Sequence, residues 1–393
     1  MEDRMKWWRE AKFGMFIHWG IYSVPARGEW VMFCERIPKE KYKKFARKFN
    51  PKNYNPDDWV LIAKDAGMKY MVLTTRHHDG FSLFDSKVSD FTAPKYINRD
   101  LIAEYVESCR KYGLKIGFYY SLVDWRYDAF FLGPDKDPSG WQELVDYVHS
   151  QVKELMTNYG KIDILWYDGA GPYKPEHWQS EKLNKMVREL QPHIIINDRS
   201  LLPEDFDTPE QHIKPSNRDW ESCMTLNDHW GYCKYDDNYK TPKQVIINLV
   251  RCASYGGNYL LNVGPRPDGR IPVKCIKILK KVGEWLKVNG ESVYGTKRTD
   301  FEWYHFHPGF ITKRGNKLYL HIFYWFKEFA IGNLKINVKN AYFLNEGISV
   351  DFKVEHDRVV FKNLPEKPPD PIDTVIVVEY EGEIEKLNSK RPF

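Results

Sequence analysis

At the centre of the chain lies Ile162-Asp163-Ile164-Leu165-Trp166-Tyr167-Asp168-Gly169, a mostly apolar run that ends in a carboxylate and a glycine. Amphipathic stretches flank this run at 139–158 and 175–190, with apolar residues at the three- and four-residue steps that are typical of helices. A short apolar run between two helices is typical of a strand buried in a parallel sheet. We therefore expect the strand to deliver Asp168 to the carboxyl edge of that sheet.

The same alternation of strand and helix continues through the first three quarters of the chain. Strands are predicted at 13–19, 70–75, 115–121, 162–168, 193–198 and 258–263, with a weaker candidate at 222–226. Helices are predicted at 38–48, 56–66, 100–112, 139–158, 175–190, 241–255 and 272–289. Since no Gly-x-Gly-x-x-Gly fingerprint is present, a TIM-like (β/α) barrel is favoured over a dinucleotide-binding fold. With six clear strands, the barrel is expected to be irregular, with fewer than eight regular strands or helices, unless a strand escapes the pattern.

After about Gly295 the sequence pattern changes to short strand-like runs separated by turn residues. These runs are 317–323, 334–338, 349–354, 359–361 and 374–380. Because no helical stretch lies between them, they predict a small antiparallel β-sandwich. The expected domains are a catalytic barrel at 1–297 and a C-terminal β-sandwich at 298–393.

Composition excludes several classes of partner. The 393 residues carry 59 basic and 54 acidic side chains, and this small, dispersed excess gives no reason to expect a nucleic-acid or membrane partner. No apolar run approaches the roughly 18 residues of a membrane span. The six cysteines form no Cys-x-x-Cys pair, and the first residues lack the pattern of a secretory signal. We therefore expect a cytoplasmic protein with free thiols; a homo-oligomeric state is left open.

Polar residues cluster where the predicted strands end. In a (β/α) barrel these ends form one rim, which carries the active site. Charged groups at the end of an apolar strand are costly unless they are paired or used. The clusters are His18-Trp19-Gly20, Arg76-His77-His78-Asp79-Gly80-Phe81, Tyr119-Tyr120-Ser121, Trp166-Tyr167-Asp168-Gly169, Asn197-Asp198-Arg199 and Asn262-Val263-Gly264-Pro265.

Each of these residues also has a simpler interpretation when it is taken alone. Asp168 could cap a helix or form a turn, and Arg199 could pair with carboxylates at the rim. His77 and His78 are neighbours near a strand, so their side chains are expected to point to opposite faces. The convergence of six polar strand ends is what favours a site.

No metal or other cofactor is expected. The one pair of histidines at two-residue spacing, His305 and His307, falls where the sandwich begins and not at the barrel rim. A zinc site would need such a pair close to carboxylates at a strand end.

At the same clusters the sequence resembles the α-L-fucosidases of glycoside hydrolase family 29. The matching segments follow one another in order from Lys12 to Pro265, and the β-rich tail resembles the sandwich of that family. They are Lys12-Phe13-Gly14-Met15-Phe16-Ile17-His18-Trp19-Gly20, Gly28-Glu29-Trp30, Arg76-His77-His78-Asp79-Gly80-Phe81, Gly117-Phe118-Tyr119-Tyr120-Ser121, Ile164-Leu165-Trp166-Tyr167-Asp168-Gly169, Asn197-Asp198-Arg199, His229-Trp230-Gly231-Tyr232 and Gly257-Asn258-Tyr259-Leu260-Leu261-Asn262-Val263-Gly264-Pro265.

The resemblance implies a retaining enzyme without a metal. Such an enzyme removes terminal α-L-fucosyl residues from oligosaccharides or glycoconjugates by double displacement, through a covalent fucosyl-enzyme. It implies that Asp168 is the nucleophile and that Glu210 is the acid/base, with Glu221 as a second candidate. The implied substrate-binding residues are His18, Glu29, Trp30, His77, His78, Tyr119, Trp166, Arg199 and Trp230.

Two other functions compete with this one. A non-catalytic carbohydrate-binding protein could be built on a decayed hydrolase barrel, but both carboxylates and the polar ring are present. A barrel hydrolase for another sugar, such as a β-galactosidase, is disfavoured by the combination of His18-Trp19-Gly20 with His77-His78-Asp79. Linkage and aglycone preference are not predicted.

Overall fold

The structure, a computed structural model, describes residues 3–299 and 306–386. Residues 3–299 form a unit of parallel strands and surrounding helices. Its strands are β1 (Phe13–Ile17), β2 (Tyr70–Arg76), β3 (Lys115–Ser121), β4 (Ile164–Asp168), β5 (Ile195–Ile196), β6 (Glu221–Thr225) and β7 (Asn258–Val263). Its helices are α1 (Lys6–Ala11), α2 (Val31–Cys34), α3 (Lys39–Lys48), α4 (Pro56–Asp65), α5 (Ala93–Ile97), α6 (Leu101–Tyr112), α7 (Asp128–Leu132), α8 (Pro138–Asn158), α9 (Pro175–Trp178), α10 (Ser180–Leu190), α11 (Pro242–Ser254) and α12 (Val273–Asn289).

The sheet is curled, and an irregular segment closes it. Within the described residues its seven parallel strands run in the order β5-β4-β3-β2-β1-β7-β6. Residues 205–211 lie between the two edges: the Asp205 amide donates to the Ile196 carbonyl at 3.0 Å, and the Gln211 amide donates to the Cys223 carbonyl at 2.9 Å. This segment takes the place of an eighth strand. The predicted TIM-like barrel with fewer than eight regular strands is confirmed, and the weak strand candidate at 222–226 is β6.

Aromatic side chains fill the barrel interior. Phe16, Tyr70, Tyr119 and Trp166 are each at most 1% exposed. The first helix closes the amino-terminal end, where Trp8 packs on Phe206 with ring centroids 4.9 Å apart. The interior is therefore a packed core, and a cavity opens at the carboxyl ends of the strands.

The long helices begin and end close to the predicted residues because local signals mark their ends. In α6, for example, the Asp100 carboxylate accepts hydrogen bonds from the amides of Ile102 and Ala103, and Gly113 ends the helix at a φ of +73°. The predicted helix at 175–190 is instead two helices, α9 and α10, separated at Gln179. None of the helices in 3–299 or 306–386 is both long enough and apolar enough to span a bilayer.

Residues 306–386 form two packed antiparallel sheets. The strands are β8 (Gly309–Arg314), β9 (Lys317–Ile322), β10 (Phe329–Gly332), β11 (Leu334–Phe343), β12 (Asp351–Glu355), β13 (Arg358–Lys362) and β14 (Thr374–Lys386). One sheet has the order β11-β14-β9-β8 and the other β10-β13-β12. The predicted sandwich is confirmed, whereas the domain boundary after residue 297 stays a prediction. His305, half of the histidine pair considered as a metal site, lies outside the described residues.

A buried, hydrogen-bonded pair of a histidine and an aspartate lies where the sandwich meets the barrel. The His321 Nδ1 and Asp373 Oδ2 atoms are 2.7 Å apart, and both side chains are fully buried. Trp285 of helix α12 donates its indole N–H to the Asp373 carbonyl at 3.2 Å. The loop that carries Asp373 therefore bonds to both domains.

Removing the Asp373 carboxyl should destabilise the protein strongly. Asp373→Ala leaves the buried His321 ring without its hydrogen-bond partner, and we expect the free energy of unfolding to fall by about 1–3 kcal/mol, measured by urea denaturation. Asp373→Asn should cost less, since the amide can still bond to the ring. Glu366→Ala, which breaks the exposed pair with Lys327, should change stability by less than about 1 kcal/mol. Equal losses in Asp373→Ala and Glu366→Ala would contradict this interpretation.

Candidate active site

A cavity of about 270 Å³ opens at the carboxyl ends of the barrel strands. Its walls combine aromatic rings with charged groups, a combination that suits a ligand with both apolar faces and hydroxyl groups. Eighteen residues line it: Phe16, His18, Trp30, Phe33, His77, His78, Tyr119, Val123, Trp125, Phe130, Trp166, Asp168, Gly169, Gly171, Arg199, Glu210, Cys223 and Trp230. Most residues predicted for the site are among them.

Asp168 ends strand β4 and faces this cavity. The chain then turns sharply at Gly169, whose φ of +74° favours glycine. A Cβ atom at Gly169 would lie 2.7 Å from Val123 Cγ1, so the turn also has no room for a side chain. The glycine after the carboxylate thus allows the strand to end at the cavity wall.

Three side chains surround the Asp168 carboxylate. Tyr119 donates its hydroxyl to Oδ2 at 2.9 Å, Arg199 donates Nη1 to Oδ1 at 3.0 Å, and His78 Nε2 lies 3.7 Å from Oδ2. Burial by itself would raise the pKa of Asp168, but the Arg199 charge and these hydrogen bonds outweigh burial and hold the pKa at about 2. Asp168 is therefore ionised throughout the neutral range.

Glu210 lies on the irregular segment 205–211 that closes the barrel. Arg199 donates Nη2 to Glu210 Oε2 at 2.9 Å, so one guanidinium contacts both carboxylates. Arg199 is fixed in turn by Thr208, which accepts from Nε at 3.0 Å, and by the face of Trp166, 4.7 Å from the ring centroid. The Glu210 side chain is 41% exposed, so it lies at the cavity mouth whereas Asp168 lies deeper.

Three histidines line the inner wall, and burial keeps them uncharged. Burial lowers the pKa of His18 to about 3 and that of His78 to about 4, and it places the pKa of His77 well below the ordinary value. His18 Nδ1 pairs with Asn262 Oδ1 at 2.7 Å. The expectation that His77 and His78 point to opposite faces is wrong: strand β2 ends at Arg76, and both rings line the cavity with centroids 4.1 Å apart.

The aromatic residues predicted for the site also come together. Tyr119 stacks on Trp166 with centroids 5.9 Å apart, and Trp230 packs 5.0 Å from His18. Trp30 lies at the mouth and is 43% exposed. Glu29 is the exception, because its buried carboxylate accepts the Gly231 amide at 2.8 Å behind the cavity wall.

Glu221, the second candidate for the acid/base, does not reach the cavity. It begins strand β6, at the amino-terminal end of the barrel, and is fully buried. Its carboxyl accepts hydrogen bonds from the Tyr70 hydroxyl and, at 3.2 Å, from the Trp166 indole. Burial raises its pKa to about 7. Glu221 thus supports Trp166 from below, and of the two candidates only Glu210 lines the cavity.

Sequence reasoning missed the aromatic residues at the cavity mouth. Phe33, Trp125 and Phe130 line the cavity but were not predicted as site residues. Phe33 and Phe130 lie on α2 and α7, which have four and five residues, too few to show helical periodicity, and Trp125 lies in the loop after β3. The available signal was the run of aromatic residues after the β3 strand end.

Among the described residues, no group of three or more His, Cys, Asp or Glu side chains is arranged to hold a metal ion.

This arrangement defines a class of enzyme. Two carboxylates of different burial face one cavity at the rim of a (β/α) barrel, among polar groups and aromatic rings. One carboxylate is buried and held ionised, and the other lies partly exposed at the cavity mouth. Glycoside hydrolysis by a carboxylate pair requires two carboxyl groups in such different surroundings.

Comparison with known proteins identifies the family. The family profile described as alpha-L-fucosidase matches residues 1–291. The human tissue alpha-L-fucosidase is 30% identical over 93% of this chain and 86% of its own length. Alpha-L-fucosidase isoenzyme 1 from Paenibacillus thiaminolyticus is 42% identical and superimposes with a TM-score of 0.90, covering 97% of this chain and 99% of that one.

The chain belongs to the α-L-fucosidase family. A further structural relative, from Bacteroides thetaiotaomicron, is described as a GH29 alpha-L-fucosidase in a trapped covalent intermediate with 2-fluoro-fucosyl fluoride. It is 26% identical with a TM-score of 0.90, and the match covers 97% of each chain. The predicted family, glycoside hydrolase family 29, and the predicted enzyme class are confirmed.

The neutral histidines predict an acid-tolerant activity. Since the pKa of His78 is about 4 and that of Asp168 about 2, neither group changes charge between pH 7 and about 5. The kcat/KM for an aryl α-L-fucoside should show no loss from protonation of His78 or Asp168 down to about pH 5, and should decline below that as His78 gains a proton. Circular dichroism across the same range checks that the protein stays folded. An acid limb with an apparent pKa near 6.5, the ordinary histidine value, would contradict this prediction.

Proposed function

We propose that this α-L-fucosidase hydrolyses terminal fucosides with Asp168 as nucleophile and Glu210 as acid/base, and that it retains the anomeric configuration. The observation that carries the proposal is the guanidinium of Arg199, which contacts both carboxylates, at 3.0 and 2.9 Å. It makes them close neighbours, compatible with the separation of roughly 5–5.5 Å that retaining enzymes use.

The two steps follow from the different surroundings of the carboxylates. In the first, an Asp168 oxygen attacks the anomeric carbon, the bond from that carbon to the leaving oxygen breaks, and Glu210 gives its proton to that oxygen. In the second, Glu210 takes a proton from water while the water oxygen attacks the same carbon and the ester to Asp168 breaks. Two displacements return the original configuration.

Neutral histidines suit the recognition of sugar hydroxyls. An uncharged imidazole offers one donor and one acceptor. His18 Nδ1 donates to the Asn262 amide oxygen, so its Nε2 can accept a hydrogen bond from a sugar hydroxyl, and the buried His77 Nδ1 has no protein partner. A site that bonds each hydroxyl rejects analogues that lack one, because its own buried groups would then be unpaired. Trp230, beside Phe16 and His18, offers an apolar wall for the methyl group of fucose.

The natural substrate is proposed to be a fucosylated oligosaccharide or glycoconjugate. The cytoplasmic location and the oligomeric state stay predictions, as does the role of each binding residue.

Replacing the nucleophile should abolish turnover without unfolding the protein. Asp168→Gly should lower kcat on a nitrophenyl α-L-fucoside by at least about three orders of magnitude, because no covalent intermediate can form. Added azide should restore part of the turnover, since it fits the space left by the side chain. The product expected from entry at that face is the inverted β-fucosyl azide, detected by NMR.

Asp168→Asn is the matched control for azide rescue. Its amide fills the space of the carboxylate, so the variant should be equally inactive but should not respond to azide. If Asp168→Gly kept more than about a tenth of wild-type activity, Asp168 would not be the nucleophile.

Leaving-group dependence should distinguish Glu210 from Glu221. Glu210→Ala should lower kcat/KM by about 10²–10⁴-fold for a fucosyl disaccharide, whose leaving oxygen needs a proton, and far less for a nitrophenyl fucoside. Glu221→Gln keeps the shape of the side chain below Trp166 and should affect both substrates equally. If Glu221→Gln alone showed the leaving-group dependence, the two assignments would have to be exchanged.

A further inference from the structure

Aromatic side chains extend outward from the mouth of the active-site cavity. We call Trp30, Phe33, Trp125 and Phe131 the aromatic ledge. Phe33 is 47% and Phe131 52% exposed, although large apolar side chains are usually more deeply buried. A contiguous group of exposed rings marks a binding surface more often than scattered single ones do.

The rings of the ledge form one continuous surface with the cavity. Phe33 lies 5.3 Å from Trp125 and 6.3 Å from Phe131, and the Phe33 and Phe131 planes differ by only 15°. A second hollow of about 420 Å³ lies against Phe33, Trp125 and Phe131. Phe33 and Trp125 line both hollows, so a ligand that leaves the first cavity at this side meets the second.

The ledge is held in place before any ligand binds. Phe33 lies on α2 and Phe131 on α7, and the pair of Lys39 with Asp128, at 2.5 Å, joins the chain after α2 to the start of α7. The Tyr173 hydroxyl donates to the Phe130 carbonyl at the middle of α7. A surface fixed in this way costs little conformational entropy on binding.

The chemistry of the second hollow suits a neutral sugar ring. Flat aromatic faces can stack on the C–H face of a pyranose, whose hydroxyls then point sideways to polar groups. Arg36 lines the hollow, and within 3–299 and 306–386 no hydrogen bond or ion pair of its guanidinium is found, so its donors are available. Lys39 is already paired with Asp128, which leaves no concentration of charge to select an anionic ligand.

We propose that the aromatic ledge is the binding subsite for the sugar to which fucose is attached, with that sugar stacked against Phe33 and Phe131 and bonded by Arg36. The proposal rests on the proposed function, because fucose must occupy the inner cavity for its neighbour to reach the ledge. It assigns the enzyme a preference for fucosylated glycans over simple fucosides.

The test compares two substrates that differ in what they place on the ledge. α-L-Fucosyl fluoride places no sugar on the ledge, because its leaving group is a fluoride ion. The second substrate is whichever disaccharide of fucose with galactose or N-acetylglucosamine the wild type hydrolyses fastest. Phe131→Ala should lower kcat/KM for the disaccharide roughly tenfold and leave that for the fluoride within about twofold, because Phe131 lines only the outer hollow.

Two further variants separate stacking from general damage. Phe131→Trp keeps an aromatic face and should retain the wild-type ratio of the two kcat/KM values. Phe326→Ala removes a side chain of the same type and of similar exposure, 47% against 52% for Phe131, from the sandwich region, and it should leave both values unchanged.

Each unfavourable outcome overturns a different statement. If the wild type hydrolysed neither fucosyl fluoride nor aryl fucosides, the proposed function would fail. If it hydrolysed the fluoride but Phe131→Ala kept the wild-type ratio, the ledge proposal alone would fail. If Phe131→Ala lowered kcat/KM for a nitrophenyl fucoside but not for the disaccharide, the ledge would bind an apolar aglycone and not a sugar. A change of mass in light scattering, with the ratio unchanged, would show a contact between copies of the chain.

Discussion

The two carboxylates of the site depend on one guanidinium. Arg199 contacts Asp168 and Glu210 with different nitrogens, and its planar shape sets how far apart they lie. Without this charge, burial would raise the pKa of Asp168. The contact is possible because segment 205–211 closes the barrel irregularly and carries Glu210 to the mouth. The irregular eighth position is therefore part of the site and not a defect of the fold.

Below the site, the barrel interior supports Arg199 through Trp166. The face of Trp166 lies under the guanidinium, its indole N–H bonds to Glu221, and Tyr119 stacks on its ring. A carboxyl buried at the closed end of the barrel is expensive unless its hydrogen bonds are satisfied. Tyr70 and Trp166 satisfy it, so the polar group fixes the orientation of an aromatic ring that contacts the Arg199 guanidinium.

The sequence predicted long elements better than it predicted geometry. Helices such as α6 carry their own end signals, and the barrel strands carry apolar runs, so both were predicted within a few residues, whereas the sandwich strands β8 and β10 were not predicted. Segment 205–211 shows neither helical nor strand periodicity. Its position is set by hydrogen bonds to strands β5 and β6, which no local sequence pattern shows. The placement of His77 and His78 on one wall depends on where β2 ends, which no local pattern shows. The family resemblance supplied Glu210, and only the structure separates it from Glu221, a residue of identical chemistry buried at the opposite end.

Burial divides the site into two kinds of recognition. In the inner cavity the histidines are uncharged and enclosed. A ligand that lacks a hydroxyl, or carries it in the wrong place, leaves one of these buried groups without a hydrogen-bond partner, and this cost selects for one sugar. On the ledge, Phe33 and Phe131 are half exposed, and stacking on a flat ring tolerates many arrangements of hydroxyls. With the proposed roles, strict selection of fucose and tolerant binding of its neighbour follow from one gradient of exposure along the cavity. An enzyme built in this way is selective for the terminal sugar and adaptable toward the rest of the glycan.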